Sequence, residues 1–178
     1  MQDYQKVKHN IAPVYDKNSK ILILGTFPSV KSREMQFFYG HPQNRFWKVL
    51  AHLVSQDPPK SVEEKKDFLL RNHIAVWDVI ESCEIVGSSD SSIRNVRPAN
   101  LMLILQEANI EKIFANGTKA YELYQKYSLP MTKRAAIKLP STSPANAAWT
   151  LEKLCAVWEE KIQDSLAEER DDDGWEFI

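Results

Sequence analysis

The feature that most constrains the fold of this chain is a short apolar run, KILILG at residues 20–25, which ends at a glycine. Consecutive aliphatic residues without polar alternation are typical of a strand that is buried on both faces of a parallel sheet. A sheet of this kind needs a helical layer on each side. The run therefore predicts an α/β protein with one sheet strand ending at Gly25.

Helical and strand patterns alternate along the rest of the chain. Apolar residues at helical spacing predict a helix over 43–55, and Ser61 followed three residues later by Glu64 is a capping-box pattern that predicts the start of another helix. The other predicted elements are strands at 74–79, 111–117 and 135–139, helices at 98–108, 118–127 and 149–166, and a polar loop at 87–92.

This order of elements predicts a three-layer α/β/α fold with a central four-stranded parallel sheet and right-handed crossovers. Ligands of such folds bind beyond the carboxyl ends of the strands. Gly25, Asp78, Asn116 and Pro140 lie at the predicted strand ends. We therefore expect the segments that follow these four residues to line one cleft.

The charge distribution separates the body of the chain from its C-terminal end. The 178 residues are enough for one domain, which we assign to residues 1–167, with an acidic tail at 168–178 that is either solvated or docked on the body or on a partner. The tail holds six acidic residues and one basic residue, and without it the chain has 22 basic and 18 acidic residues. A mildly basic body permits binding to a polyanion such as DNA, but ordinary surface charge explains it equally well.

Composition also limits the location and the cofactors. No apolar stretch is long enough for a membrane span, and the first residues lack the apolar core of a signal peptide, so a cytoplasmic protein is expected. Only two cysteines, Cys83 and Cys155, are present, which is too few for a zinc ribbon or a four-cysteine cluster. We expect reduced thiols, no metal and no cofactor.

An unusual loop follows the first strand. It begins with GTFPS at 25–29 and continues with FFYGHPQNRFW at 37–47, which places three aromatic residues in a row where loops are usually polar. One explanation is that these side chains fill the protein's own core. The other is that they stack on a planar ligand.

Together with LPSTSPAN at 139–146, this loop resembles the uracil-DNA glycosylase superfamily, and most closely its hypoxanthine-DNA glycosylase branch. The mismatch-specific branch has Gly-x-Asn-Pro-Gly followed by His-Pro-x-Asn-x-Phe-Trp, and the second half is intact here as HPQNRFW at 41–47. The resemblance implies a glycosylase fold, DNA as the partner and removal of a damaged base that is flipped into a pocket. Cleavage needs a positioned water and hydrogen-bond donors near the departing base.

The resemblance also implies roles for individual residues in the first loop. Phe27 occupies the place of a water-positioning Asp or Asn in other branches and can only contribute to base binding, so the resemblance implies that Asn44 takes over the water. A helix N-cap is the alternative role for Asn44.

Five further residues are candidates for contacts with the base. Phe38, with Phe37 or Tyr39 as substitutes, is predicted to stack on it. Asn116 could hydrogen-bond a base edge or act as a turn residue, and His41 could donate to the base or phosphate or pack in the loop.

The second loop resembles the superfamily's DNA-intercalation loop. Its hydroxyl and amide residues, with Ser29 from the first loop, are predicted to bind phosphates. Leu139 stands where other branches have a histidine, so stabilisation of a uracil anion by that histidine is excluded. The predicted DNA contacts are Ser29, Ser141, Thr142, Ser143 and Asn146, the last of which could instead cap the final helix.

Two other segments have structural readings that we favour. The serine-rich stretch at 87–92 could add phosphate contacts, but a flexible surface loop is expected. Asp78 is expected to be a buried hydrogen-bond anchor, with a general base as the alternative.

The sequence thus predicts a monomeric, monofunctional DNA glycosylase that hydrolyses the bond to a deaminated base, hypoxanthine or uracil, and so initiates base excision repair. No lysine lies inside either motif, and only Lys31 and Lys48 are near enough to keep lyase activity as a minor alternative. An inactive nucleic-acid-binding module of the same fold and a nucleoside hydrolase are the rival hypotheses. The preferred base and the preferred strand state stay open.

Overall fold

The structure, a computed structural model, describes residues 3–167, so the predicted tail at 168–178 lies outside the described residues. The strands are β1 (Gln5–Lys8), β2 (Ile21–Gly25), β3 (Ile74–Asp78), β4 (Ile80–Ile85), β5 (Arg94–Pro98), β6 (Lys112–Asn116) and β7 (Ala136–Leu139). The helices are α1 (Val30–Met35), α2 (Phe46–Leu53), α3 (Val62–Arg71), α4 (Met102–Glu107), α5 (Thr118–Leu123), α6 (Leu129–Thr132) and α7 (Leu151–Ala167).

The central sheet has four parallel strands in the order β3-β2-β6-β7, which confirms the predicted fold class. Its middle strand β2 is completely buried, with Ile21 and Ile23 in the core under α2, α3 and α7. Leu22 and Leu24 lie in the second core, under α4 and α5. The strand therefore needs aliphatic residues at every position, because both of its faces are covered by helices.

A second, antiparallel sheet was not predicted. It has the order β1-β4-β5 and packs Cys83 and Ile85 of β4 against the second core. The prediction that Pro98 opens a helix is wrong, because Pro98 ends β5 opposite Ile80 and the helix starts only at Met102. Proline fits either position, since a strand end and a first helical turn both tolerate a missing N–H.

The cap of α3 and the register of the parallel strands agree with the sequence predictions. Ser61 caps α3 by accepting a hydrogen bond from Glu64 N at 3.0 Å, as the capping-box pattern predicts. At the carboxyl edge of the sheet, Gly25 pairs with Asp78 and Asn116 pairs with Leu139. No helix within the described residues is long and apolar enough to cross a membrane.

Candidate active site

A cavity of about 530 Å³ opens at the carboxyl ends of the parallel strands, where the sequence predicts a cleft. The first loop, the second loop and the loop after β4 form its walls. Ten of the eleven predicted site residues line it: Phe27, Ser29, Phe38, Tyr39, His41, Asn44, Asn116, Ser141, Thr142 and Ser143. Asn146 alone does not.

Gly25 and Asp78 form part of the cavity wall where β2 and β3 end side by side. A Cβ atom at Gly25 would lie 2.6 Å from Asp78 Oδ1 and 2.9 Å from the Tyr39 hydroxyl oxygen. Both distances are too short for any real side chain. Glycine is therefore required here because two polar groups approach the backbone closely.

The three consecutive aromatic residues divide between the two roles considered for them. Phe37 is a core residue, 3% exposed, with its ring stacked on Trp47 at 6.1 Å. Phe38 and Tyr39 line the cavity, and Tyr39 is held by stacking on Phe46 at 3.8 Å between ring centroids. Phe38 is itself only 1% exposed and belongs to the same core as Phe37, so it serves both roles, and Tyr39 is the half-buried ring at the cavity.

The side chains of Asn44 and Asn116 are joined through Thr142. The Thr142 hydroxyl donates to Asn44 Oδ1 at 2.9 Å and accepts from Asn116 Nδ2 at 3.0 Å. Asn44 Oδ1 also accepts from the backbone N of Phe46, the first residue of α2, but the N-cap position is Arg45, so Asn44 supports the start of the helix from one residue before the cap. With its oxygen engaged twice, Asn44 presents its Nδ2 group as a hydrogen-bond donor.

Thr142 was predicted to contact DNA phosphates, and the structure places it differently. It is 0% exposed, and its backbone N donates to Asn116 Oδ1 at 3.1 Å. A fully buried hydroxyl that is shared by two amides fixes their orientation and has no surface from which to reach a phosphate. The prediction of a phosphate contact at Thr142 is therefore corrected to a bridging role.

Arg45 has a structural role at the candidate site that the sequence did not predict. Its guanidinium group donates to the carbonyl oxygens of Ser143 at 2.8 Å, of Asn146 at 3.1 Å and of Trp149. Its backbone N donates to Thr142 O at 3.1 Å. Since arginine presents five donors in a planar fork, one side chain can hold a whole loop, and Arg45 clamps the second loop against the first.

Hydrogen bonds within the second loop hold the other side chains that were predicted to contact DNA. Ser141 Oγ accepts from Ser143 N at 3.1 Å, and Asn146 Nδ2 donates to Ser141 O at 3.0 Å. The alternative role of Asn146 as a helix cap is wrong, because Thr150 Oγ1 accepts the bond from Lys153 N at the start of α7. These bonds give the loop a defined shape at the mouth of the cavity.

Two predicted residues of the first loop have local roles as well. Ser29 caps α1, its hydroxyl accepting from Ser32 N at 3.1 Å, and it lines the cavity. His41 Nδ1 accepts from Gln43 N at 3.1 Å, so its neutral ring carries the proton on Nε2, where it can serve as a donor.

The serine-rich loop at 87–92 is attached to the first loop and is not a separate surface segment. Ser88 Oγ accepts from Val30 N at 2.8 Å, and Arg33 donates to Gly87 O at 2.8 Å. Ser88 to Ser91 consequently line the cavity. Gly87 to Ser91 are all exposed, so the stretch is a surface loop as expected, but these contacts attach it to the first loop.

Asp78 is buried, as expected, but it is not a hydrogen-bond anchor. Its Oδ2 atom has no hydrogen-bond partner among the described residues. His9 Nε2 lies 3.7 Å away and donates to Ile80 O at 2.9 Å. Burial, with the negative charge of Asp90 as a second cause, raises the pKa of Asp78 to about 8. A carboxyl of this kind is mostly protonated at neutral pH.

Comparisons with known proteins agree with this geometry. The profile of the uracil DNA glycosylase superfamily matches residues 12–164. The chain belongs to this superfamily. It is 36% identical to a protein named hypoxanthine DNA glycosylase from Methanosarcina acetivorans over 143 residues, which cover 79% of this chain and 89% of that protein.

Two further relatives extend the comparison. A protein named hypoxanthine DNA glycosylase from Methanosarcina barkeri is 33% identical over 118 residues, or 65% of this chain and 74% of the relative. The solution NMR structure of a Methanosarcina acetivorans protein described as a candidate uracil DNA glycosylase has a TM-score of 0.72 and 30% identity, covering 88% of this chain and 98% of the other.

Within the superfamily, the two departures noted in the sequence now have positions in the fold. Phe27 lines the cavity at 8% exposure and meets the ring of His9 edge-on at 5.3 Å, so it adds apolar wall there. Leu139, in place of the histidine of other branches, is a 0% exposed core residue. Neither can hold a water or a base anion.

Proposed function

We propose that this member of the uracil DNA glycosylase superfamily is a monofunctional DNA glycosylase that removes a deaminated base, hypoxanthine first and uracil second, by hydrolysis of the N-glycosidic bond. The reaction leaves an abasic site and so initiates base excision repair. The names of the two Methanosarcina relatives support hypoxanthine as the preferred base.

Aromatic rings and carboxamides line the same cavity, and this observation carries the proposal. Phe27, Phe38 and Tyr39 supply the flat apolar surfaces on which a flipped base stacks. Asn116 supplies hydrogen-bonding groups of the kind that read a base edge. A cavity of about 530 Å³ is within the usual range of small-molecule sites, roughly 300–1,000 Å³.

Asn44 is proposed to position the attacking water. Its Nδ2 group can donate to the water oxygen, and its orientation is set before substrate arrives by the bonds from Thr142 and Phe46. A carboxamide is not a base, so it contributes by placing the nucleophile. Charge stabilisation of the oxocarbenium-like sugar then falls mainly to the DNA phosphates.

The rim of the cavity is proposed to hold the DNA backbone. Ser29, Ser141 and Ser143 line the opening, and Asn146 lies in the same loop, half-buried. Hydroxyl and amide groups bind phosphate oxygens without reading sequence. The excess of basic over acidic residues outside the tail favours the same partner.

The absence of lysine from the cavity wall supports a monofunctional enzyme. Among the described residues, no lysine lines the cavity, and Lys31 and Lys48 are both exposed on helices. A Schiff base needs a lysine amine at the sugar, so strand cleavage by lyase chemistry is not part of the proposal. A monomer that needs neither metal nor cofactor completes it.

The test is a gel assay with end-labelled oligonucleotides that carry one hypoxanthine or one uracil, single-stranded and paired, followed by alkali. We expect scission at the modified base, with hypoxanthine the faster substrate, and loss of activity of about 100-fold or more in Asn44→Ala. Asn109→Ala is the matched control, since Asn109 is exposed in the loop before β6, away from the cavity.

Two outcomes would replace the proposal. Intact oligonucleotides that are still retarded by the protein would favour a binding module without chemistry. Cleavage of free deoxyinosine that is as fast as cleavage in DNA, with little dependence on salt, would favour a nucleoside hydrolase, because phosphate contacts make DNA binding fall steeply with salt.

A further inference from the structure

Two polar groups in the cavity wall are buried without hydrogen-bond partners. Among the described residues, neither Asp78 Oδ2 nor the Tyr39 hydroxyl has one. Both residues line the cavity and both approach Gly25. A buried polar atom without a partner costs stability, so such atoms are rare in folded proteins and indicate a role in function. Two of them beside the same glycine indicate that this part of the wall serves a ligand.

Among the described residues, Asp78 has no ion-pair partner that carries a permanent positive charge. His9 faces it from the segment after β1, and burial lowers the pKa of His9, which keeps that ring neutral. Tyr39 faces it from the first loop, and burial raises the pKa of its hydroxyl, which keeps the proton there. Asp90, from the loop after β4, contributes a negative charge. Burial and the charge of Asp90 favour the neutral carboxylic acid over the carboxylate, and neither His9 nor Tyr39 supplies a positive charge against them.

Glycosidic cleavage creates a demand for a proton at the departing base. Asp78 is the cavity carboxyl that is buried with an unpartnered oxygen among the described residues, whereas His41 already has its Nδ1 engaged by Gln43 N. When the bond from C1′ to the base breaks, its electron pair stays on the base, and the negative charge must be neutralised. Leu139 is buried and apolar at the position where other branches have a histidine. The amides of Asn44 and Asn116 can donate hydrogen bonds, but they cannot transfer a proton.

We propose that Asp78 is the general acid of the reaction and protonates the departing base. This inference rests on the proposed glycosylase function. The C1′–N bond breaks and its electron pair moves into the base. The O–H bond of Asp78 breaks, its electrons stay on the carboxylate, and the proton moves to a nitrogen or oxygen atom of the base, which departs neutral. The water oxygen bonds to C1′ and releases a proton to solvent, from which Asp78 is reprotonated.

Tyr39 has a different part in the same event. Its hydroxyl keeps its proton throughout, because burial and the nearby Asp78 both disfavour the phenolate. It can therefore donate a hydrogen bond to the base or to the newly formed carboxylate of Asp78. Tyr39 therefore positions the base relative to Asp78, and Asp78 transfers the proton.

The experiment compares leaving groups. Single-turnover cleavage is measured for the wild type and for Asp78→Asn on DNA containing hypoxanthine, uracil or 5-fluorouracil at mildly acidic pH. The asparagine keeps the size and polarity of the aspartic acid but cannot give up a proton. We expect a loss of about 100-fold or more on hypoxanthine and uracil, in line with general acids elsewhere. On 5-fluorouracil the loss should be at least tenfold smaller, because fluorine lets that base leave as an anion.

A second measurement does not depend on the folding of that variant. The wild-type rate on hypoxanthine should fall above about pH 8, and Asp90→Asn should move this fall to lower pH, since it removes a negative charge that favours the protonated acid. Asp57→Asn, a change at an exposed position between α2 and α3, is the matched control and should leave the profile unchanged.

The outcomes separate this inference from the proposed function. Equal losses on all three bases, or a pH profile that Asp90→Asn does not move, would overturn the general-acid role while leaving the glycosylase in place. A wild-type protein that cleaves none of the three bases while Asn44→Ala behaves identically would overturn the proposed function itself.

Discussion

Asn116, the last residue of β6, and Thr142 of the second loop exchange two hydrogen bonds. The Nδ2 atom of Asn116 donates to Thr142 Oγ1 at 3.0 Å, and the backbone N of Thr142 donates to Asn116 Oδ1 at 3.1 Å. The same Thr142 hydroxyl donates to Asn44. One buried hydroxyl therefore sets the direction of both amides in the cavity.

Replacement of Thr142 by valine should uncouple these amides. Asn44 loses a donor and Asn116 loses an acceptor, so the free energy of unfolding should fall by about 1–3 kcal/mol, as measured by urea denaturation. The rate of base release should fall about tenfold or more, because the water and the base are no longer positioned in advance. Thr142→Ser keeps the hydroxyl and should retain most of the stability and most of the rate. A serine variant that loses as much of each as the valine variant would contradict the bridging role.

Arg45 should be irreplaceable by lysine. A lysine amine cannot reach the carbonyls of Ser143, Asn146 and Trp149 together, so Arg45→Lys should lower the free energy of unfolding by about 2 kcal/mol or more. Amide hydrogen exchange should speed up in the second loop and little elsewhere.

The control for Arg45 is Arg71→Lys. Arg71 makes an exposed pair with Asp67 at 2.5 Å, and such surface pairs contribute about 0–1 kcal/mol. Similar losses in the two variants would mean that Arg45 acts as an ordinary surface charge.

Asp78 should make the stability of the protein decrease as pH rises. Its pKa is about 8 in the folded chain and about 4 in an unfolded one, so the folded state holds the proton more tightly. Its stabilising contribution is complete below about pH 4 and is lost progressively as pH rises to about 8. Asp78→Asn has no such proton to lose. The free energy of unfolding of the variant, minus that of the wild type, should therefore be roughly 3–5 kcal/mol larger at pH 8 than at pH 4.

Thermal or denaturant unfolding at several pH values measures this difference. His9 has the opposite dependence, because its lowered pKa makes stability fall as pH drops below about 6.5. Both proteins contain His9, so its contribution cancels when they are compared. A pH-independent difference between them would show that Asp78 is ionised in the folded protein.

Gly25→Ala should damage the site more than the fold. The new methyl group would lie 2.6 Å from Asp78 Oδ1 and 2.9 Å from the Tyr39 oxygen, so both side chains must move. We expect base release to slow by about tenfold or more, with far-ultraviolet circular dichroism unchanged. Gly87→Ala is the comparison, because nothing lies within 4 Å of its new Cβ and only its left-handed backbone, φ 57°, opposes the change, at a cost of about 1 kcal/mol.

Residues that belong to short, contiguous strings were predictable from the sequence. His41 and Asn44 are separated by two residues, Ser141 to Ser143 are consecutive, and both strings follow apolar strands whose ends converge in any parallel sheet. The buried strand at 20–25 was also predictable, because an apolar run this short that ends at a glycine favours a strand over a buried helix.

Features that depend on distant contacts were not predictable. Arg45 bonds residues about a hundred positions away, and nothing in its neighbourhood distinguishes a clamp from a surface arginine. The missing partner of Asp78 depends on where His9 and Ile80 lie in three dimensions. Pro98 illustrates a different limit, since its local preference is satisfied by a strand end as well as by a helix start.

The pairing of Gly25 with Asp78, and of Asn116 with Leu139, places the inner wall of the cavity in the hydrogen-bonded ladder of the sheet. Its outer wall comes from loops that are clamped to each other and lie outside this ladder. Choice of base and grip on DNA are therefore separable properties. Exchange of the second loop between relatives should transfer strand preference and salt dependence, while the identity of the excised base should stay with the sheet and the first loop.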